Sequence, residues 1–177
     1  LNWEKKQFPV KIDFAVDEIV MANAEEQLKG AMGFTWQGFN SAANYSLQNK
    51  INIDRGLYYA ERAVAFNNNF TTLNTKAGLL RLNGRTEEAD KIQAEAMTVA
   101  NEVELNAYGY QLLNSGNMEG AINAFKDNTD RHAESANAWD SLGEGYDIKG
   151  AKKEAIKCFK KSLTLNHSDL IKANSEK

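Results

Sequence analysis

A glycine followed five residues later by an alanine recurs along the chain at a nearly constant step. The pairs are Gly84 and Ala89, Gly116 and Ala121, and Gly150 and Ala155. The steps between the glycines are 32 residues (116 − 84) and 34 residues (150 − 116). A period of this length is the signature of a repeat architecture, in which each supersecondary unit stacks on its neighbours. The alternative is a generic amphipathic helical bundle, which has no reason to keep such a step.

The last unit shows what is repeated. Trp139, Leu142 and Tyr146 fall at i, i+3 and i+7, which predicts one face of a first helix. Gly150 then ends that helix and turns the chain. A second helix follows, and its inward face is predicted to carry Ala155, Phe159 and Ser162.

Earlier copies of this unit are progressively weaker. The copy at 102–135 keeps an aromatic residue at Phe125, whereas the copy at 70–101 has Gln93 in that place. A further copy is predicted around Gly56, Ala60 and Ala63, preceded by Trp36, Phe39 and Ala43. Roughly four extra residues separate the two halves of this copy, so its first helix is expected to be about one turn longer. Four residues nearly complete one helical turn, so the same face of the helix is kept.

These units resemble tetratricopeptide (TPR) repeats, and the resemblance covers about residues 33–169. It implies a right-handed superhelix of paired antiparallel helices, whose first helices line a concave groove used to recognise peptides or proteins. The expected fold class is therefore all-α, a TPR-type α-α superhelix of about four helix-turn-helix repeats, with a short N-terminal β segment. The expected function is a non-catalytic scaffold that binds a peptide or protein partner in the groove.

The predicted organisation follows from these units and from the residues that flank them. At the N-terminus, Val10, Ile12 and Phe14 alternate with polar residues, as in a half-buried strand, and Asp17 is a predicted helix N-cap. The predicted segments are 1–16, a β-strand or hairpin remnant of a preceding domain; 17–32, a linker helix; 33–69, 70–101, 102–135 and 136–169, repeats one to four; and 170–177, a capping helix or tail.

A second resemblance rests on the stretches NWEK at 2–5 and GFTWQG at 33–38. Through these stretches, the chain resembles the C-terminal part of the members of a bacterial family found largely in Bacteroidetes. In that family, a β-rich domain of unknown function precedes a helical repeat region. That resemblance implies a periplasmic or cell-envelope setting. It also leaves a different class of function open: a helical accessory or oligomerisation region of a larger envelope protein, whose activity lies in the N-terminal domain.

The TPR resemblance implies which residues line the groove. Many of them are amides, which both donate and accept hydrogen bonds and can pair with the backbone of an extended peptide. Three acidic residues about one turn apart in repeat four favour a basic ligand segment. The candidates are Gln37, Ser41 and Asn44 in repeat one; Asn74 and Arg81 in repeat two; Asn106 and Tyr110 in repeat three; and Asn137, Asp140, Glu144 and Asp147 in repeat four. Tyr45 is expected to add contact area.

Composition argues against several other functions. A net charge of −3 gives no general affinity for nucleic acid, and no apolar run approaches the length of a membrane span. No catalytic set and no metal site are expected, because the two histidines, His132 and His167, fall at repeat ends. The single cysteine, Cys158, is predicted to be a partly buried, inert thiol. No cofactor is expected, and the oligomeric state is left open.

Overall fold

The computed structural model describes residues 2–3, 6–7 and 15–175, with side chains for 15–166. Two short strands, β1 (Asn2–Trp3) and β2 (Lys6–Gln7), pair antiparallel, with Asn2 opposite Gln7. The helices are α1 (Val16–Lys29), α2 (Trp36–Asn49), α3 (Ile53–Phe66), α4 (Phe70–Leu82), α5 (Thr86–Val99), α6 (Glu102–Asn114), α7 (Met118–Arg131), α8 (Ala136–Lys149) and α9 (Lys152–Ser175). A 3₁₀ helix at Ala31–Phe34 lies between α1 and α2.

The helix that opens each predicted repeat begins at a polar N-cap. The caps of α2, α4, α6 and α8 are Thr35, Asn69, Asn101 and Ser135. Each side chain accepts a hydrogen bond from the backbone N–H three residues on, which satisfies one of the unpaired donors of the first turn. In α4 and α6 the third helical residue returns the bond, completing a capping box. These local signals fix where four of the helices start.

The recurrent glycines turn the chain between paired helices, as predicted. Gly84, Gly116 and Gly150 have φ values of +80°, +82° and +83°. This left-handed conformation is strained for residues that carry a Cβ, so glycine is the residue that ends a helix in this way at low cost. The prediction that these positions are turns is confirmed.

The predicted turn of the first repeat is at the wrong residue. Gly56 lies inside α3, where a Cβ would stand 2.7 Å from Cβ of Ser46 in α2. It is the fourth residue of its helix, as Ala155 is in α9, so it takes the place of the small alanine. Lys50, with φ of 56°, occupies the left-handed position instead. The predicted longer helix is also wrong, because α2 and α8 both have 14 residues.

The chain forms two compact units, Leu1–Ala96 and Met97–Lys177. In the first unit, Met21 of α1 packs into a core with Phe39 and Ala43 of α2 and Ala60 of α3. Fully buried alanines let these helices approach closely, so the large side chains fill the space around them.

The second unit is built around Phe125 of α7, which is completely buried. Ile122, Leu142 and Cys158 are buried in the same cluster. Cys158 is a free thiol, and its burial raises the pKa of that thiol, in line with the inert role expected of it.

The two ends of the chain differ from expectation where the structure describes them. The predicted strand at Val10, Ile12 and Phe14 lies outside the described residues. Helix α1 begins at Val16 with Ala15 at its N-cap, so Asp17 lies in the first turn and is not the cap. At the other end α9 runs without a break to Ser175, so the predicted capping segment at 170–177 continues that helix as far as 175.

Candidate functional site

Helices α6 and α8 of the second unit bring several predicted groove residues together. We call this surface the α6–α8 face; it consists of Asn106, Tyr110, Asn137, Asp140, Ser141 and Glu144. The Tyr110 hydroxyl donates a hydrogen bond to Oε2 of Glu144 at 2.6 Å and lies 3.2 Å from Oγ of Ser141. Two candidates chosen from different repeats, Tyr110 and Glu144, are therefore in direct contact.

Buried aromatic packing holds Tyr110 in place. Its ring meets the ring of Phe125 edge-on, with centroids 5.1 Å apart and an interplanar angle of 68°. Phe125 can reach this position because Gly109 has no side chain: a Cβ there would lie 2.6 Å from Cδ1 of the ring. The tyrosine is thus fixed by packing on one side and by hydrogen bonding on the other.

The same surroundings keep the Tyr110 hydroxyl protonated. Desolvation raises the pKa of Tyr110, and the hydrogen bond to Glu144 raises it further. The negative charge of Asp140 acts in the same direction. A tyrosine hydroxyl is protonated at neutral pH even without this shift, so Tyr110 can donate the hydrogen bond to Glu144.

Asp140 and Glu144 lie one helical turn apart on α8, and both are exposed. Among the residues that the structure describes, Asp140 has no hydrogen-bond or ion-pair partner. Asp147 differs from both, because its Oδ1 is 2.6 Å from Nζ of Lys152 at the start of α9. The predicted row of three acids is thus a pair on the face and a third that pairs with a lysine.

The two amides of the α6–α8 face have different environments. Asn137 is exposed in the first turn of α8, whereas Asn106 is half-buried on α6. The amide oxygen of Asn106 is buried and has no hydrogen-bond partner within the described part of the chain. A buried acceptor without a donor is destabilising, and a donor brought to it would relieve that cost.

The first unit arranges its candidates differently. Gln37 and Asn44 are exposed on α2, and Asn44 accepts a hydrogen bond from Gln48 at 3.4 Å; Asn74 of α4 is half-buried. Arg81 is directed at α5, where its Nη2 is 3.0 Å from Oδ1 of Asp90. Arg81 therefore already has an ion-pair partner within the unit.

Helix α1 covers part of the predicted surface of α2. A cavity of about 260 Å³ lies between the two helices, lined by Met21 and Leu28 on α1 and by Ser41 and Tyr45 on α2. The Tyr45 hydroxyl donates to Oδ1 of Asp17 at 2.9 Å. Tyr45, expected to add contact area to a groove, instead helps to attach α1.

Sequence reasoning missed the roles of two residues at this site: Ser141, which belongs to the α6–α8 face, and Phe125, which packs against Tyr110. Ser141 lies three positions before Glu144, so the helical spacing that selected the acids also contained it. Phe125 was assigned to the core, and its role in orienting Tyr110 depends on a glycine on another helix. The spacing of residues along one helix cannot predict a contact between two helices.

Within the described residues no group of three or more His, Cys, Asp and Glu side chains is arranged to hold a metal ion. In the same part of the chain, no helix combines the length and the apolar character needed to cross a membrane.

Comparison with known proteins supports the repeat assignment. No model of a known protein family matches the chain. Tetratricopeptide repeat protein 7A from Homo sapiens is 27% identical over 120 residues, which is 67% of this chain and 14% of the human protein. The chain thus spans about one seventh of the length of the curated relative that it matches.

Solved structures of MamA share the fold. One superposes with a TM-score of 0.50 and 14% identity over 91% of this chain and 99% of its own. Another gives a TM-score of 0.50 and 16% identity over 85% of this chain and 82% of its own. With the repeated helix pairs, their left-handed turns and the tetratricopeptide relative, these likenesses show that the chain has a TPR-like fold.

Proposed function

We propose that this chain is a non-catalytic TPR scaffold and that the α6–α8 face of its second unit binds a peptide or protein segment carrying a basic side chain. The proposal rests on one observation, the pair of exposed carboxylates of Asp140 and Glu144 beside Tyr110. The Tyr110 hydroxyl donates a hydrogen bond to Oε2 of Glu144 at 2.6 Å and so holds that carboxylate in place. The TPR-like fold supports binding over catalysis.

The chemistry of the face suits a lysine or arginine side chain. Two carboxylates one turn apart attract a cation, and an arginine can bridge them with several N–H donors. Asp147 lies further along α8 and pairs with Lys152 at 2.6 Å, so a ligand would have to compete with that exposed pair. The basic residue of the ligand is therefore expected to lie over Asp140 and Glu144, toward the start of α8.

The face also offers contacts for the ligand backbone. The exposed amide of Asn137 can donate to a carbonyl and accept from an N–H. The aromatic packing of Tyr110 against Phe125 means that part of the face is ordered before binding, so less side-chain entropy is lost on association.

A peptide selection tests this proposal without knowledge of the natural ligand. A phage-displayed library of random peptides is selected on the immobilised chain, and the enriched peptides are then titrated by fluorescence anisotropy. We expect enrichment of peptides with Lys or Arg, and we expect their affinity to fall with rising salt, because the attraction between exposed charges is screened.

The decisive variant is Asp140→Lys with Glu144→Lys. Its matched control is Asp130→Lys with Glu154→Lys, which makes the same change in net charge at exposed acids on α7 and α9. The proposal predicts that the control binds the selected peptides like the parent and that the α8 variant does not. Equal loss in both variants, or retention in both, would refute a specific role for the α6–α8 face.

A further inference from the structure

Helix α9 presents exposed apolar side chains on the surface directed away from α8. Ile156 is 54% exposed and Leu163 is 68% exposed, and they lie seven residues apart on one side of the helix. The opposite side of α9, with Ala155 and Leu165, is buried. Among the described residues nothing covers Ile156 and Leu163.

The preceding repeat shows what these positions do when they are covered. Thirty-four residues earlier (156 − 122 and 163 − 129) stand Ile122 and Thr129 of α7. They are only 4% and 3% exposed, and α7 packs against α8. Ile156 and Leu163 therefore occupy the positions through which one repeat stacks on the next. We call this surface, with Lys153 and Lys160, the stacking face of α9.

Polar contacts between α7 and α8 indicate the charge that a partner needs. Glu119 near the start of α7 is 2.9 Å from Lys149 near the end of α8. Lys126 of α7 lies over the ring of Tyr146 at 5.8 Å. The counterparts on α9, at the same 34-residue step (153 − 119 and 160 − 126), are Lys153 and Lys160. Since Lys153 replaces the acid of the Glu119–Lys149 pair, a helix that docks on α9 is expected to carry an acidic residue near its C-terminal end, opposite Lys153.

The outer surface of α1 has these properties. Val16 and Ile19 are exposed near its start, and Glu26 is exposed near its end. Helix α1 carries four acidic residues and one lysine, a net charge of −3 (1 − 4). Residues 152–166 of α9 carry five lysines and one glutamate, a net charge of +4 (5 − 1). Glu26 pairs with Lys29 at 2.7 Å, but exposed pairs of this kind contribute little and exchange readily.

We propose that a second copy of this chain docks the outer surface of its α1 on the stacking face of α9. If the contact repeats the antiparallel arrangement of α7 and α8, Glu26 meets Lys153, and Val16 and Ile19 cover Leu163. Pairing of α9 with its own copy is disfavoured, because it opposes two lysine-rich surfaces. A contact between different surfaces of two copies is heterologous, so it extends into open chains of molecules unless its rotation closes a ring.

Sedimentation velocity over a wide range of concentration tests the proposal on the whole chain. The parent is expected to exceed the monomer mass of 19.7 kDa increasingly as concentration rises. Ile156→Glu with Leu163→Glu is expected to remain at the monomer mass, with unchanged far-ultraviolet circular dichroism. A parent that stays monomeric at every concentration overturns the proposal.

A charge exchange identifies the partner surface. Glu26→Lys and Lys153→Glu should each weaken association about tenfold, and the double variant should recover most of the parent affinity, because the new pair has the charges of Glu119 and Lys149. Failure of the double variant to recover would exclude α1 as the partner of α9.

Ile148→Glu is the matched control. Ile148 is exposed on α8, but its counterpart 34 residues earlier (148 − 114), Asn114, is exposed as well, so the position lies outside the stacking face. Association of this variant should equal that of the parent. Loss of association in Ile148→Glu would mean that exposed apolar residues associate without specificity, and it would overturn the proposal.

Discussion

Replacing Gly109 by alanine tests how the second unit positions Phe125 and, through it, Tyr110. An added Cβ would lie 2.6 Å from Cδ1 and 2.7 Å from Cζ of the Phe125 ring, and closer still to Cε1. Real carbon atoms do not approach so closely, so the ring must move. The ring is completely buried and has no free space to enter without displacing its neighbours.

Two opposing effects set the size of the change. Alanine is favoured over glycine inside a helix by about 1 kcal/mol, because it restricts the unfolded chain. Overpacking a filled core costs about 1–3 kcal/mol. Because all three nearest ring atoms fall below normal contact distance, we expect the overlap to prevail and Gly109→Ala to lower the free energy of unfolding by roughly 1 kcal/mol.

The assay is urea unfolding followed by circular dichroism, with the same change made in a Phe125→Leu background. Leucine lacks Cε1 and Cζ, two of the three ring atoms that the new Cβ would meet, and its branched end can rotate away from the Cβ. Gly109→Ala should there be neutral or stabilising by up to about 1 kcal/mol. A double-mutant cycle reports the difference between the two backgrounds as a coupling energy. If Gly109→Ala stabilises the parent protein, the ring is not held as the structure indicates.

Two further predictions concern the same unit. Trp139 packs on the core but is only half-buried, and its Nε1 donates a hydrogen bond to the carbonyl of Ala133 at 2.8 Å. Trp139→Ala should therefore lower the free energy of unfolding in urea by about 2 kcal/mol, which is less than the roughly 3–5 kcal/mol expected for a fully buried tryptophan. A variant that unfolds like the parent would contradict this packing. Burial raises the pKa of Cys158, so the folded state favours the protonated thiol. The resulting contribution to the free energy of unfolding is fully present below the ordinary thiol pKa and is lost as the pH rises through the pKa of the folded state. Alkylation of Cys158 by iodoacetamide should accordingly require a higher pH in the folded chain than in urea; identical pH profiles would show that the thiol is not buried.

The sequence predicts those parts of the fold that depend on the identity of a single residue. Gly84, Gly116 and Gly150 could be assigned to turns because a left-handed helix end strongly favours glycine. The same rule fails at Lys50, because a lysine in that conformation is uncommon and the sequence therefore points to the nearest glycine, Gly56, as the turn. The correct alignment follows only when Gly56 is recognised as a small residue at a close helix contact.

The candidate site was predictable only in part, because helix periodicity tells which side a residue occupies but not which partner it meets. Tyr110 and Glu144 were both selected, yet their hydrogen bond depends on the position of α6 relative to α8. The same limitation explains Arg81, whose partner Asp90 lies on the following helix, and Tyr45, whose partner Asp17 lies 28 residues away.

The α6–α8 face is tested most directly by titrating the isotope-labelled chain with a selected basic peptide and recording amide chemical-shift changes by NMR. The proposed function predicts that the largest changes lie at Asn106, Tyr110 and residues 137–144, and that they disappear in the variant with Asp140→Lys and Glu144→Lys. Changes centred on the outer surfaces of α7 and α9, or unchanged by that variant, would contradict it.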